Sequence, residues 1–134
     1  SGLCTMGVAV PMATGYKLSA PERPVVAFTG DAGLEMVLGD LATLRDLKLP
    51  IIIVVFVDES LALIELKQRG MSYPNHGVDF SGTDFVTIGE AYDFHSSWVD
   101  DTETLEAELS AALSRKKTTL LACRFPRQAY DGSF

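Results

Sequence analysis

The sequence predicts an α/β fold, a three-layer sandwich with a mainly parallel sheet covered by helices on both faces. Short β-branched runs alternate along the chain with segments whose apolar residues recur at helical spacing. The run IIIVVFV at residues 51–57 is apolar on both faces, as a central strand of a covered parallel sheet must be. Ligands of such sheets bind at the carboxyl ends of the strands, so the residues that follow each strand are the candidates for function.

The first half of the chain predicts helix, strand, helix and strand. Residues 6–18 are rich in small residues and favour a helix that ends near residues 15–17. Residues 24–30 predict a buried strand, because they are short, β-branched and bounded by proline and glycine. From residue 34 to residue 48 apolar side chains recur on one face, which predicts a single amphipathic helix before the strand at 51–57.

The second half predicts helix, loop, helix, strand, helix and strand. The first four of these segments are, in order, residues 60–68, 69–82, 84–92 and 94–99. Asp100 and Glu103 offer a capping box for the next helix, which runs through Leu113. Residues 118–125 are the last predicted strand.

Composition limits the partners of the chain. Its 134 residues are 47% hydrophobic and 22% charged, which suits one globular domain. The net charge is −7 and basic residues form no extended run, so nucleic acid and anionic membranes are not expected partners. The longest apolar stretch, residues 49–57, is too short to span a bilayer. Cys4 and Cys123 lack metal-type spacing and indicate a reducing compartment, so we predict a cytoplasmic protein.

Two aspartates follow two successive strands of the predicted sheet. Asp31 lies in the turn Gly-Asp-Ala-Gly after the first strand, and Asp58 follows the second. A right-handed crossover would place both carboxylates on one edge of the sheet. They could be a helix cap and a solvated loop acid. Alternatively they bind Mg²⁺, which would offset the repulsion between the carboxylates and a phosphate held by the turn amides.

A dinucleotide site with Asp58 on a ribose is a third interpretation. The turn lacks the G-x-G-x-x-G spacing of those sites, and Glu35 or Met36 occupies the place of the third glycine. An aspartate in the turn would also oppose direct binding of a pyrophosphate without a metal. The sequence therefore favours the metal interpretation over this one.

Several motifs carry a family resemblance. GDAG at residues 30–33 and VDES at 57–60 are similar to a Gly-Asp-Gly … Asn-Asn signature, and residues 2–15 are similar to the Gly-x-Gly-Thr-Met-Gly segment that precedes it. The likeness continues through residues 40–70 and 76–94. The chain thus resembles the thiamine-diphosphate enzymes, specifically the C-terminal diphosphate-binding domain of the acetolactate synthase-like group.

The resemblance implies a role for each matching residue. Asp31, the side chain of Asp58 and the backbone carbonyl of Ser60 would bind Mg²⁺. Met6 would support thiamine diphosphate in its bent conformation, and the carbonyl of Cys4 would accept a hydrogen bond from its pyrimidine ring. The turn residues around the diphosphate would be Gly30, Ala32, Gly33, Leu61 and Ala62, the last four donating backbone amides.

Three positions depart from the family pattern. Val57 and Asp58 stand where the family has Asn-Asn, and Asp58 adds a negative charge beside the cation and the diphosphate. Cys4 replaces a glycine that makes its contact through the carbonyl. The glutamate that activates the cofactor in the family belongs to another domain, so no catalytic residue is assigned in this chain.

The start of the helix after Asp58 is implied to face the substrate. Leu63 and Lys67 share one helical face with Ile64 beside them, and acetolactate synthases have a tryptophan at the position of Lys67. A lysine there would hold a substrate carboxylate, sulfonate or phosphonate as a point charge. The alternative is that Lys67 pairs with Glu65 or another acid and points into solvent.

The resemblance implies an enzyme that decarboxylates or ligates 2-oxo acids, completed by the pyrimidine-binding domain of the same or a neighbouring subunit. Residues 1–134 would be one domain from the C-terminal part of a larger chain that forms a homodimer or homotetramer. FAD in a domain outside the chain is compatible with this expectation. Two alternatives stay open: a small subunit of a sulfopyruvate or phosphonopyruvate decarboxylase-like enzyme, and a non-catalytic relative that kept the fold.

Overall fold

One parallel sheet organises the chain. The structure, a computed structural model, describes residue 3 and residues 5–132. The four strands of the sheet lie in the order β1-β2-β4-β3, and every neighbouring pair is parallel. Their bounds are β1 Val26–Gly30, β2 Ile52–Val57, β3 His95–Val99 and β4 Thr119–Arg124. The predicted parallel sheet is confirmed.

Helices lie on both faces of this sheet. Their bounds are α1 Ala9–Ser19, α2 Asp31–Glu35, α3 Asp40–Asp46, α4 Ala62–Gly70, α5 Phe85–Ala91 and α6 Thr102–Ser114, followed by a 3₁₀ helix at Arg127–Tyr130. In the part of the chain that the structure describes, no helix has both the length and the apolar character needed to cross a membrane.

Alternation along β2 divides the core into two apolar clusters. Ile53 and Val55 pack into the larger cluster, with side chains from α1, α2, α3 and α5. Ile52 and Val54 face the opposite way and pack with side chains of α6. Because both faces of the central strand are covered, the predicted three-layer architecture is confirmed.

The predicted single helix over residues 34–48 is wrong. The chain forms α2 and α3 instead, joined by a turn at residues 36–39. In this turn the amide of Val37 bonds to the carbonyl of Leu34, and the amide of Asp40 bonds to that of Val37, three residues back rather than four. Gly39 is the last residue of the turn, and glycine costs about 1 kcal/mol relative to alanine inside a helix. The apolar periodicity hid this break because the leucines still face the core.

Other helix ends also differ from the prediction, and α4 lies two residues later than expected. α1 passes through Gly15 and ends at Ser19, beyond the expected end. Asp101 rather than Asp100 caps α6, since its side chain accepts a hydrogen bond from the amide of Thr104 at 2.7 Å. Asp100 pairs with a guanidinium of β4 instead.

Candidate functional site

A cavity of about 470 Å³ opens at the carboxyl ends of β1 and β2. Its walls come from residues 5–9, the end of β1, the start of α2, the turn after β2 and the start of α4. The predicted site residues that line it are Met6, Gly30, Asp31, Ala32, Gly33, Asp58, Ser60, Leu61, Ala62, Leu63 and Ile64. Lys67 is not among the lining residues, and Cys4 lies outside the described residues.

Asp31 joins the two turns of the site. It is the first residue of α2 and is 4% exposed. Its Oδ1 accepts a hydrogen bond from the amide of Ala32 at 2.7 Å. Its Oδ2 accepts bonds from the amides of Asp58 at 3.1 Å and Glu59 at 2.8 Å. Gly30 occupies the N-cap position, so Asp31 is not the helix cap that one interpretation expected.

Within residues 5–132, one carboxylate oxygen of Asp58 has no hydrogen-bond donor. Its Oδ1 accepts bonds from the amide of Ser60 at 2.9 Å and from the Ser60 hydroxyl at 3.1 Å. Burial, and then the neighbouring Asp31 carboxylate, raise the pKa of Asp58, although the Ser60 bonds and Arg127 oppose the shift. A divalent cation between the two carboxylates would reverse this, because it favours the ionised form of each.

Ser60 supplies a buried carbonyl. The residue is 4% exposed, and none of the hydrogen bonds within residues 5–132 ends on its backbone oxygen. Among these residues no group of three or more His, Cys, Asp or Glu side chains could hold a metal. The predicted ligand set has only two such side chains, and the Ser60 carbonyl with ligand oxygens would complete it. Mg²⁺ suits such a set, since it combines one or two carboxylates with phosphate oxygens and water.

The four predicted amide donors differ in availability. The amide of Ala32 donates to Asp31, and the amide of Leu61 donates to the carbonyl of Val78 at 2.8 Å. In the described chain the amides of Gly33 and Ala62 have no such acceptor, and both residues line the cavity. These two amides are therefore the ones free to meet an anion.

The rest of the cavity wall is mostly apolar. Met6, Leu63 and Ile64 are each about half exposed there, at 48%, 47% and 49%. Phe28, which was not among the predicted site residues, also lines the cavity near the end of β1 and is 58% exposed. Its position two residues before the Gly-Asp turn was the available signal. Lys67 is exposed, and its expected partner Glu65 pairs with Arg69 at 3.1 Å instead.

The raised pKa of Asp58 predicts a pH-dependent effect of Asp58→Asn on the metal-free protein. A carboxyl whose pKa is raised by folding stabilises the fold while protonated, and this contribution is lost as the pH rises through its pKa. The asparagine variant should therefore unfold at a higher temperature at pH 7 in EDTA. The difference should vanish as the pH falls below the ordinary aspartate range. Thermal unfolding of both proteins across this range measures it, and a variant that is less stable at pH 7 would contradict it.

A family model and several curated proteins match this chain. The model, described as the C-terminal TPP-binding domain of thiamine pyrophosphate enzymes, matches residues 1–123. The large subunit of acetolactate synthase isozyme 3 from Escherichia coli is 32% identical over 98% of this chain and 23% of that protein. A probable 2-ketoarginine decarboxylase from Pseudomonas aeruginosa is 30% identical over 92% of this chain and 22% of that protein.

Solved structures share the fold. The 4-hydroxybenzoylformate decarboxylase of Rhodococcus jostii superposes with a TM-score of 0.83 at 24% identity, over 90% of this chain and 23% of that one. The benzoylformate decarboxylase of Polynucleobacter necessarius has a TM-score of 0.78 at 30% identity, over 89% of this chain and 23% of that one. The chain thus spans less than a quarter of the length of these relatives.

Proposed function

Because the chain belongs to the C-terminal cofactor-binding domain family of the thiamine pyrophosphate enzymes, we propose that it holds thiamine diphosphate and Mg²⁺ for an enzyme that decarboxylates or ligates 2-oxo acids. The buried Asp31 carboxylate carries the proposal, because it binds the turn after β2 from the turn after β1 at the ligand-binding edge of the sheet. When bound, thiamine diphosphate supplies an electron sink for decarboxylation.

The metal would be held by Asp31, the free Oδ2 of Asp58 and the Ser60 carbonyl. This set offers hard oxygen ligands only, which favours Mg²⁺ over softer metals. The free amides of Gly33 and Ala62 would hold the diphosphate, with the turn residues Gly30, Ala32 and Leu61 around it. Met6, half exposed on the cavity wall, would support the cofactor rings, and Cys4 keeps its predicted carbonyl role.

The rest of the enzyme would come from elsewhere in the protein or from a second subunit. This chain contributes no assigned catalytic acid, and the exposed apolar side chains of Phe28, Leu63 and Ile64 suit a surface that another domain covers. We propose that the pyrimidine-binding domain of the same or a neighbouring subunit closes this cavity, within a homodimer or homotetramer. FAD in a further domain and a cytoplasmic location remain predictions.

The substrate would be a 2-oxo acid whose side chain meets Leu63 and Ile64. No lysine, arginine or histidine lines the described part of the cavity, which supports an uncharged side chain there. Lys67 lies one helical turn beyond Leu63, on an exposed part of α4. Should Lys67 reach the substrate in the assembled enzyme, it would favour an additional anionic group, as in a sulfopyruvate or phosphonopyruvate decarboxylase-like enzyme.

Calorimetric titration of the full-length protein with thiamine diphosphate tests the proposal. Binding is expected with Mg²⁺ present and is expected to be lost in EDTA, because the two carboxylates would then repel the diphosphate. Equal affinity in both buffers would contradict the proposed metal site. Turnover of 2-oxo acids by the same preparation separates an enzyme from a non-catalytic relative that only binds the cofactor.

Lys67→Met tests the two substrate classes. If Lys67 contacts an anionic group of the substrate, the variant should raise KM roughly ten- to a hundredfold, as loss of a charge-assisted hydrogen bond would. Steady-state kinetics with a sulfonated or phosphonylated 2-oxo acid and with benzoylformate measure this. Lys48→Met is the matched control, because Lys48 precedes the start of β2 and lines a different cavity. An unchanged KM for every substrate would show that Lys67 does not contact the substrate.

A further inference from the structure

The turn that carries Asp58 and Ser60 is held by a distant loop. Ser60 forms an antiparallel bridge with Asp79, in the loop between α4 and α5. The amide of Leu61 bonds to the carbonyl of Val78 at 2.8 Å, and the amide of Phe80 bonds to the carbonyl of Glu59 at 3.3 Å. Residues 78–80 therefore run alongside the turn and fix its backbone.

This turn needs such support. Glu59, between Asp58 and Ser60, has a φ of 57°, in the left-handed region that side chains other than glycine disfavour. A residue persists in such a conformation only where the surrounding structure holds it. The amide of Glu59 is held from one side by Asp31, and its carbonyl from the other side by residues 78–80.

Residues 78–80 are themselves tied to the C-terminal segment. The Asp79 carboxylate accepts a hydrogen bond from Nη1 of Arg127, the first residue of the 3₁₀ helix, and another from Nδ2 of Asn75 at 2.8 Å. The residue after the 3₁₀ helix is held to α4, because Arg69 donates two hydrogen bonds to Asp131 at 2.7 and 3.1 Å. A continuous set of contacts thus leads from Arg127 to Ser60.

We propose that Arg127 is a positioning residue for the divalent cation. Its ion pair with Asp79 holds residues 78–80 against the turn. The turn then holds the Asp58 carboxylate and the Ser60 carbonyl in place for the metal. The inference depends on the proposed function, since it assigns these two groups to the cation. In the described chain the guanidinium of Arg127 bonds to Asp79 and to none of the proposed metal ligands, so the proposed role runs through Asp79.

The sign of the effect separates this role from simple electrostatics. Arg127 lines a second cavity together with Asp58, so its positive charge opposes a cation bound to that carboxylate. If charge alone mattered, removing it would tighten Mg²⁺ binding. If the ion pair with Asp79 matters, removing Arg127 loosens the turn and weakens Mg²⁺ binding.

Arg124 provides a matched control. It lines the same cavity, and it too pairs with an aspartate, since its Nη1 lies 2.7 Å from Oδ1 of Asp100. Asp100 follows β3, and within residues 5–132 its side chain pairs with Arg124 and not with the turn or with residues 78–80. Arg124→Gln therefore removes the same charge and an ion pair with an aspartate while leaving residues 78–80 in place. It also removes the contact of Arg124 with the Trp98 ring, whose centroid lies 4.0 Å from Cζ.

The experiment is a calorimetric Mg²⁺ titration of the full-length protein at saturating thiamine diphosphate. Arg127→Gln should raise the Kd for Mg²⁺ about two- to fivefold, the range that a partly exposed ion pair allows. Arg127→Lys should recover part of the loss, and Arg124→Gln should leave the Kd unchanged or lower it. Asp79→Asn combined with Arg127→Gln should weaken binding no more than the stronger single change.

An Arg127→Gln variant that binds Mg²⁺ as tightly as the parent, or more tightly, would overturn the inference. So would a loss as large in Arg124→Gln, because charge or general stability would then explain both. Thermal unfolding of the two variants in EDTA checks that their stabilities match. Failure of the proposed function looks different: the parent protein itself would then bind thiamine diphosphate without a cation.

Discussion

Asp31→Ala is expected to abolish binding of Mg²⁺ and thiamine diphosphate and also to destabilise the metal-free fold. The carboxylate is 4% exposed and accepts bonds from three backbone amides, two of them in the turn after β2. Alanine would leave these donors without an acceptor, and one buried unsatisfied donor costs about 1–3 kcal/mol. Because water would enter the site in part, we expect a total loss of about 2–5 kcal/mol. Urea unfolding in EDTA measures this loss, and calorimetry measures the binding.

Asp31→Asn separates the two effects. Asparagine keeps the shape of the side chain and one acceptor oxygen, so the fold should lose less than with alanine. Its missing charge should still weaken Mg²⁺ binding by roughly a hundredfold or more, as loss of a hard anionic ligand implies. Asp84→Ala is the control, because the Asp84 carboxylate also accepts a hydrogen bond from a backbone amide, that of Thr87 at 3.1 Å. Asp84 caps α5 and does not line the cavity. It should cost about 1 kcal/mol of stability and leave cofactor affinity unchanged.

An Asp31→Asn protein that binds the cofactor with Mg²⁺ as the parent does would contradict the proposed ligand. Loss of binding in Asp84→Ala would show that any small loss of stability disturbs the site. Neither result would bear on the hydrogen bonds by which Asp31 links the two turns. The urea unfolding of Asp31→Ala tests the contribution of those bonds to stability.

The edge of the sheet on which the cavity opens could be predicted from the sequence because it depends on strand direction. Apolar residues on both faces of β2 require a covered parallel sheet, and the carboxyl ends of parallel strands meet at one edge. Asp31 and Asp58 therefore had to lie on the same edge, and the structure brings them together through the backbone amide of Asp58. This step required only that β1 and β2 are parallel neighbours, and not the positions of β3 and β4.

The contacts that hold the site could not be predicted in the same way. The bridge between Ser60 and Asp79 is an isolated pairing across a long loop, and it has no hydrophobic pattern to specify it. The pairing of Arg127 with Asp79 likewise joins residues that no local rule connects. Glycine at residue 39 could have warned of the break between α2 and α3, but the regular leucine spacing was the stronger signal.

Gly33→Ala is expected to lower the free energy of unfolding by about 1–3 kcal/mol, the usual cost of an added group in a packed site. A Cβ at this position would lie 2.8 Å from Oγ1 of Thr29, closer than carbon and oxygen normally approach, and 3.7 Å from the amide nitrogen of Gly7. Thr29 would have to turn its hydroxyl away and lose its bond to the Gly30 carbonyl, or α2 would have to move away from β1. Since Asp31 and the free amide of Gly33 belong to α2, cofactor affinity should fall by roughly tenfold, or about 1.4 kcal/mol.

The added Cβ of Gly33→Ala would clash with a single hydroxyl group, that of Thr29, so a second substitution at Thr29 should remove the clash. Thr29→Ala removes Oγ1, together with its bond to the Gly30 carbonyl at 3.1 Å, and should recover most of the affinity lost in Gly33→Ala. Gly15→Ala is the control, because nothing lies within 4 Å of its added Cβ and alanine favours a helix. It should stabilise α1 by about 0.5–1 kcal/mol. If Gly33→Ala keeps full affinity, or if Thr29→Ala fails to rescue it, close packing of α2 on β1 does not position the cofactor site.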